Sequence, residues 1–205
     1  MKTFLLIAVL LIISCYQLPA QEETLIGNGE ITHGGFGGPV VKYTQIKGEP
    51  AVLVGGRGGW IINHAFTIGG GGYGLVNDIN ANNPPTFLLW EGKPFLNFGY
   101  GGVELEYIIQ SERLIHFSVC TLIGGGAVSY RNELWNDDDM DDWDSPTDAF
   151  FVFEPSANVE LNIISFFRIN GGVSYRFISG VHFDDLKNND LAGPSAQLTL
   201  KFGQF

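Results

Sequence analysis

The sequence predicts an all-β chain of eight antiparallel strands in up-and-down order, closed into a barrel. Three observations lead there. Segments of alternating or near-continuous apolar character recur eight times between turn-rich stretches. The joins alternate between tight and long over much of the chain. The periodic segments are dense in Gly and in β-branched or aromatic residues, poor helix material in which each mid-helix Gly costs about 1 kcal/mol relative to Ala.

Taken in order, residues 1–20, "MKTFLLIAVLLIISCYQLPA", open with Lys2, run apolar from Phe4 to Ile13 and end on the small Ala20. This is the pattern of a secretory signal peptide cleaved after Ala20. "IISC" offers a second reading, a lipoprotein leader with Cys15 lipidated at the new N-terminus. Residues 21–35 read as an irregular N-terminal extension, and 36–205 as the barrel. The strands are expected at Phe36 to Ile46, Ala51 to Ile62, Ala65 to Val76, Phe95 to Ile109, Leu114 to Arg131, Ala149 to Ile163, Phe166 to Ile178 and Ser195 to Phe205. The joins after the second, fourth and sixth are tight. Those after the third, fifth and seventh are long, polar and rich in Asn, Asp, Pro and Gly, so long loops gather at one end and tight turns at the other.

Period-two parity sorts the side chains. Val103, Leu105, Tyr107 and Ile109 fall on one face of their strand, and Glu104, Glu106 and Gln110 on the other. The split repeats where Phe167, Ile169, Val173, Tyr175 and Phe177 oppose Arg168, Asn170, Ser174 and Arg176. Such alternation suits a water-soluble barrel with an apolar interior or a membrane barrel with an apolar exterior and polar lumen. The membrane form is favoured. Its strands match the 9 to 11 tilted residues that cross a bilayer, the polar face mixes both signs, and Trp60, Tyr107, Tyr130, Phe150 and Phe177 lie near strand ends, where interfacial aromatic girdles belong. Charged residues are only 16% of the chain against 45% hydrophobic, whereas a soluble barrel would spread Lys and Glu over its outside.

Leader, eight alternating strands, long loops on one side and the ending "LTLKFGQF" make the chain resemble the small eight-stranded outer-membrane barrels of bacteria, the group of the OmpA transmembrane domain, OmpX and OmpW. The resemblance covers roughly residues 36 to 205. It implies residence in the cell outer membrane, contact with outer-membrane lipids, and recognition of the C-terminal strand by the barrel-insertion machinery. One departure stands out: Phe202, Leu200 and Leu198 are one step out of phase with the terminal Phe205.

Loss of Lys2 with the leader leaves ten basic against twenty-two acidic residues, which makes nucleic acid an unsuitable partner. Cys120 is the one cysteine remaining after cleavage at Ala20, so no intramolecular disulfide is expected. G-x-G-x-x-G occurs at Gly69, Gly71 and Gly74, but a dinucleotide loop opens a helix in a βαβ unit, and "LVNDINANNPP" continues as strand and loop. The glycines instead repeat at mid-strand ("VLVGGRGGWII", "FTIGGGGYGLV", "TLIGGGAVSY"), where they permit sharp coiling and leave room for large neighbours.

The inward ionisable set is expected to be Lys42, Arg57, Arg168, Arg176 and Lys201 with Glu104, Glu106, Glu154 and Glu160. An eight-stranded barrel is just wide enough for side chains to fill, so this set reads as a salt-bridged plug, with a narrow conduit or proton-linked site as the alternative. "NELWNDDDMDDWDSPTD" gathers seven aspartates from Asp137 to Asp148. It lacks the glycine and closing glutamate of an EF-hand loop and reads as a solvated surface loop open to an extracellular partner. Trp135 and Trp143 are read as packing within it, with exposed anchors for a partner as the alternative. The four histidines and the serines show no nucleophile elbow and no metal-ligand spacing, and His116 beside Ser118 has no orienting carboxylate nearby in sequence. No catalytic residue, cofactor or metal is assigned. The expected function is an integral outer-membrane barrel with a structural, surface-interaction or small-solute passage role. The alternatives are a secreted soluble barrel that binds an apolar ligand and, further off, an outer-membrane lipid-modifying enzyme.

Overall fold

The computed structural model describes residues 31–80, 94–132, 147–183 and 186–205. The leader, most of the extension and the acidic stretch 133–146 lie outside them. Eight strands form one closed antiparallel barrel in sequence order, and β1 pairs with β8 to remove both sheet edges. The strands are β1 (His33–Ile46), β2 (Glu49–Ile62), β3 (Phe66–Leu75), β4 (Pro94–Ile109), β5 (Ile115–Asn132), β6 (Thr147–Ile164), β7 (Phe167–Ser179) and β8 (Gly193–Gln204). Each begins and ends within three residues of the position read from the sequence. A single helical turn, α1 (Asn188–Leu191), interrupts the β7–β8 connection.

The up-and-down order puts the connections after β2, β4 and β6 at one end with the C-terminus, and the long ones at the other. At the turn end, Asn63 and His64 both take positive φ, and Ala65 N–H donates to the Ile62 carbonyl (3.1 Å), a type I′ hairpin whose twist matches the strands. Lys47 and Gly48 make an equivalent turn at the loop end (φ 54° and 77°).

Parity decides what faces where. Val103, Leu105, Tyr107 and Ile109 on β4, with Ile115, Phe117 and Val119 on β5, point outward and are exposed, while Glu104, Glu106, His116 and Ser118 are buried. A charged inside and apolar outside invert the soluble barrel and define a lipid-facing exterior. The outward aromatics form two belts. Trp60, Tyr107, Phe117 and Phe202 lie towards the turn end, and Tyr43, Phe151, Phe153, Tyr175 and Phe177 towards the loop end. Tyr130 and Phe150 are in neither belt. They turn inward and are buried (1% and 5% exposed), because both faces of β5 and β6 are apolar near the loop end and parity there does not distinguish wall from lumen. Among the described residues no helix is long and apolar enough to cross a membrane; the strands do so.

Candidate functional site

Among the described residues, chemistry-bearing side chains converge in the lumen, and all nine expected ionisable residues are buried in it, none more than 8% exposed. Its contents change along the axis. Towards the turn end, inward positions on β2, β4, β5, β6, β7 and β8 build a continuous ion network. Glu106 accepts from Arg57 (3.2 Å), Lys201 (3.1 Å) and Ser118 Oγ (2.8 Å). Glu160 takes Lys201 (2.6 Å), Arg168 (3.0 Å), His116 Nε2 (3.2 Å) and Asn170 Nδ2 (3.2 Å). Arg57 Nε also lies 2.6 Å from Glu104 Oε2, close as an ion pair though off line as a hydrogen bond. A second group sits nearer the middle. Glu154 accepts from Lys42 (3.0 Å), the Tyr100 hydroxyl (2.6 Å) and Ser174 (2.6 Å), while Tyr73 donates to Glu104 (2.6 Å) and turns its ring face to the Lys42 ammonium (3.6 Å). Every carboxylate thus meets at least one cation, the condition under which charge is tolerated in a dry interior.

Glycines make the room. A Cβ on inward Gly71 would meet Glu104 Oε1 at 2.5 Å and the Tyr73 hydroxyl at 2.8 Å, and one on inward Gly126 would run into the Phe150 ring. A pocket of about 10 Å³ remains among Lys42, Arg57, Tyr73 and Glu104, enough for a single water.

Above this level the inward residues become apolar. Leu53, Leu96, Phe98, Leu122, Val128, Tyr130, Phe150, Val152 and Ile178 form one cluster, which Leu186 and Leu191 of the β7–β8 connection close from above. Lys47 N–H donates to Asp190 O (2.7 Å) and the His182 and Phe183 amides to Asp148 Oδ2, so the connection is tied to the β1–β2 turn and to the start of β6, while Val181 N–H to Asn188 Oδ1 (3.0 Å) braces it internally. The sequence reading missed this apolar layer; its trace is the near-continuous run "AFFVF" at the start of β6.

The turn end closes differently. Phe205 falls on the inward face of β8, its ring 4.0 Å from the Arg168 guanidinium and stacked near Phe36 (6.5 Å). That accounts for its phase against Phe202, which faces outward and stacks on Phe167 (4.8 Å).

His116 and Ser118 do not form a catalytic pair. His116 bonds Glu160 and the Arg113 carbonyl (3.1 Å), whereas Ser118 is committed to Glu106. The carboxylate missing near His116 in sequence comes from β6, 44 residues away. Cys120 is buried beside Arg57 (Nη2 to Sγ 3.3 Å). Among the described residues no cluster of three or more His, Cys, Asp or Glu could hold a metal. The aspartate-rich stretch and its two tryptophans lie outside the described residues, apart from Thr147 and Asp148.

No family model matches the chain, and no curated protein matches it in sequence. Solved structures do. Neisserial surface protein A superposes with a TM-score of 0.58 at 7% identity, over 85% of this chain and 99% of that one. Ail, the attachment invasion locus protein of Yersinia pestis, gives 0.46 at 11% identity over 83% and 97%, and in complex with the heparin analogue sucrose octasulfate 0.48 at 11% over 85% and 99%. The fold is that of the eight-stranded bacterial outer-membrane barrels.

Proposed function

We propose that this chain is a closed barrel of the bacterial outer membrane that anchors loop-end segments at the cell surface and passes no solute. One observation carries the reading: the lumen is filled in two successive ways, by paired charges and then by packed apolar side chains under a folded connection. Hydrated ions need a continuous polar path, and an apolar layer of this kind withholds one. The working surface is then the loop end, where the acidic stretch 133–146 would engage a partner that presents positive charge, and outer-membrane lipids would cover the wall between the aromatic belts. Phe202, the outward aromatic of β8, is the residue that would present the C-terminal strand to the insertion machinery, in place of Phe205.

The test has two parts. The protein should be recovered from the envelope only with detergent and show a heat-modifiable gel shift; recovery as soluble protein overturns membrane residence. Reconstituted in a planar bilayer, it should give no discrete conductance steps, and a stable unitary conductance would make the lumen a conduit.

A further inference from the structure

Among the described residues, the lumen's buried Lys, Arg and Glu side chains number five cations and four carboxylates, and the imbalance has an address. Lys42, Arg57, Arg168 and Lys201 each reach a carboxylate within 3.2 Å. Among the described residues, Arg176 reaches none. It is fully buried, its Nε donates to the Leu191 carbonyl (2.8 Å), and neither terminal nitrogen has a hydrogen-bond partner of good geometry, although the Tyr100 hydroxyl, itself bonded to Glu154, lies beside the guanidinium. The β6–β7 register, Phe153↔Phe177 and Ser156↔Ser174, carries Glu154 opposite Arg176, yet that carboxylate is occupied by Lys42, Tyr100 and Ser174. Arg176 points instead into the apolar layer, its guanidinium 5.1 Å from the Phe98 ring and 5.5 Å from Tyr100.

A guanidinium in such a place is costly unless negative charge comes to it. Ring faces supply only a weak attraction, and the Leu191 carbonyl takes one of five donors. We propose that the two terminal nitrogens of Arg176 form a binding site for one small inorganic anion of halide size, held beneath the β7–β8 connection. The planar fork offers two parallel N–H groups to one acceptor, and the apolar walls favour a weakly hydrated anion, such as chloride or bromide, over one that holds its water. The anion would bring the five cations into balance. This site is independent of what the loop end engages.

The experiment compares the full chain with Arg176→Met, both refolded in detergent, following thermal unfolding by the heat-modifiable gel shift at constant ionic strength while sodium fluoride is replaced by sodium chloride or bromide. An anion that binds only the folded barrel raises the wild-type midpoint, by about 2 to 4 °C for a domain of this size once the site is mostly filled. General salt effects act on both proteins and cancel in the difference. A chloride-dependent rise that Arg176→Met loses supports the site. No rise in the wild type, or a rise that the variant keeps, overturns it. Should Arg176→Met fail to fold, crystals of the unaltered protein soaked in bromide decide: an anomalous peak against the Arg176 guanidinium supports the proposal, and its absence there refutes it.

Discussion

The two halves of the lumen share one wall and one alternation of side chains, yet are filled by opposite chemistries. Along β4 the inward positions run Leu96, Phe98, Tyr100, Gly102, Glu104 and Glu106, so a single strand passes from apolar packing to carboxylates on one face. In the turn-end half each side chain is held by a partner that must carry the right charge. In the loop-end half, Arg176 apart, it is held by shape, because any apolar group of the right volume satisfies its neighbours. The difference teaches that parity assigns a residue to a face, whereas its level along the strand assigns its chemistry. It also separates two kinds of fragility: the charged half should be the more sensitive to loss of a charge, and the apolar half to a change of size.

The sharpest test is an isosteric change in each half. Glu106→Gln keeps the volume but removes the charge that Arg57 and Lys201 share, and breaking a buried pair from one side costs about 3 to 5 kcal/mol. Urea titrations of the refolded protein, read by gel mobility, should show this loss, and equally at low and high salt, because pairs shielded from solvent are little screened. A loss that shrinks as salt rises would mean the network is wet. The counterpart is Leu53, fully buried in the apolar cluster. Leu53→Ala should cost about 3 kcal/mol through the cavity it leaves, while Leu53→Met, volume-conserving, should cost less than about 1.5 kcal/mol. If Leu53→Met proved as damaging as Glu106→Gln, the distinction between a half held by partner and a half held by shape would fall.

Much of this was legible in the sequence, for reasons that also mark where legibility stopped. Strand positions and the nine inward charges followed from period-two alternation, because lipid on one side and charge on the other leave an unambiguous pattern on the turn-end parts of the strands, as in Glu104 and Glu106 between Val103, Leu105 and Tyr107. At the loop end both sides of the wall are apolar. There Tyr130 and Phe150 carried no signal of direction and were expected in the lipid-facing girdle. Individual ion pairs were hidden as well. His116 meets Glu160 and Lys201 meets Glu106 only after strand stagger and barrel closure bring residues 44 and 95 positions apart into contact, and neither register nor closure can be read from one strand's alternation. Phe205 illustrates the same limit: its phase was visible, but its destination over Arg168 depended on the barrel's interior.

The smallest effects should come from the glycines, and they divide along the same line. Gly126 faces the apolar half, where an added Cβ would meet the Phe150 ring and the Gly99 backbone carbonyl. Neither can step aside without moving a packed layer or the wall, so Gly126→Ala should cost about 2 kcal/mol, within the range for overpacking. Gly71 faces the charged half, where the same methyl would meet the ends of Glu104 and Tyr73. Those tips can swing away, and Ala relieves the entropy that Gly loses on ordering, about 0.5 to 1 kcal/mol in a strand. Gly71→Ala should therefore cost no more than about 1 kcal/mol in the same urea titration, its loss limited to a weakened Tyr73–Glu104 hydrogen bond. A Gly71→Ala penalty above that of Gly126→Ala would show that the ion network is the more rigid half, so that partner geometry, not steric packing, sets the stiffness of the lumen.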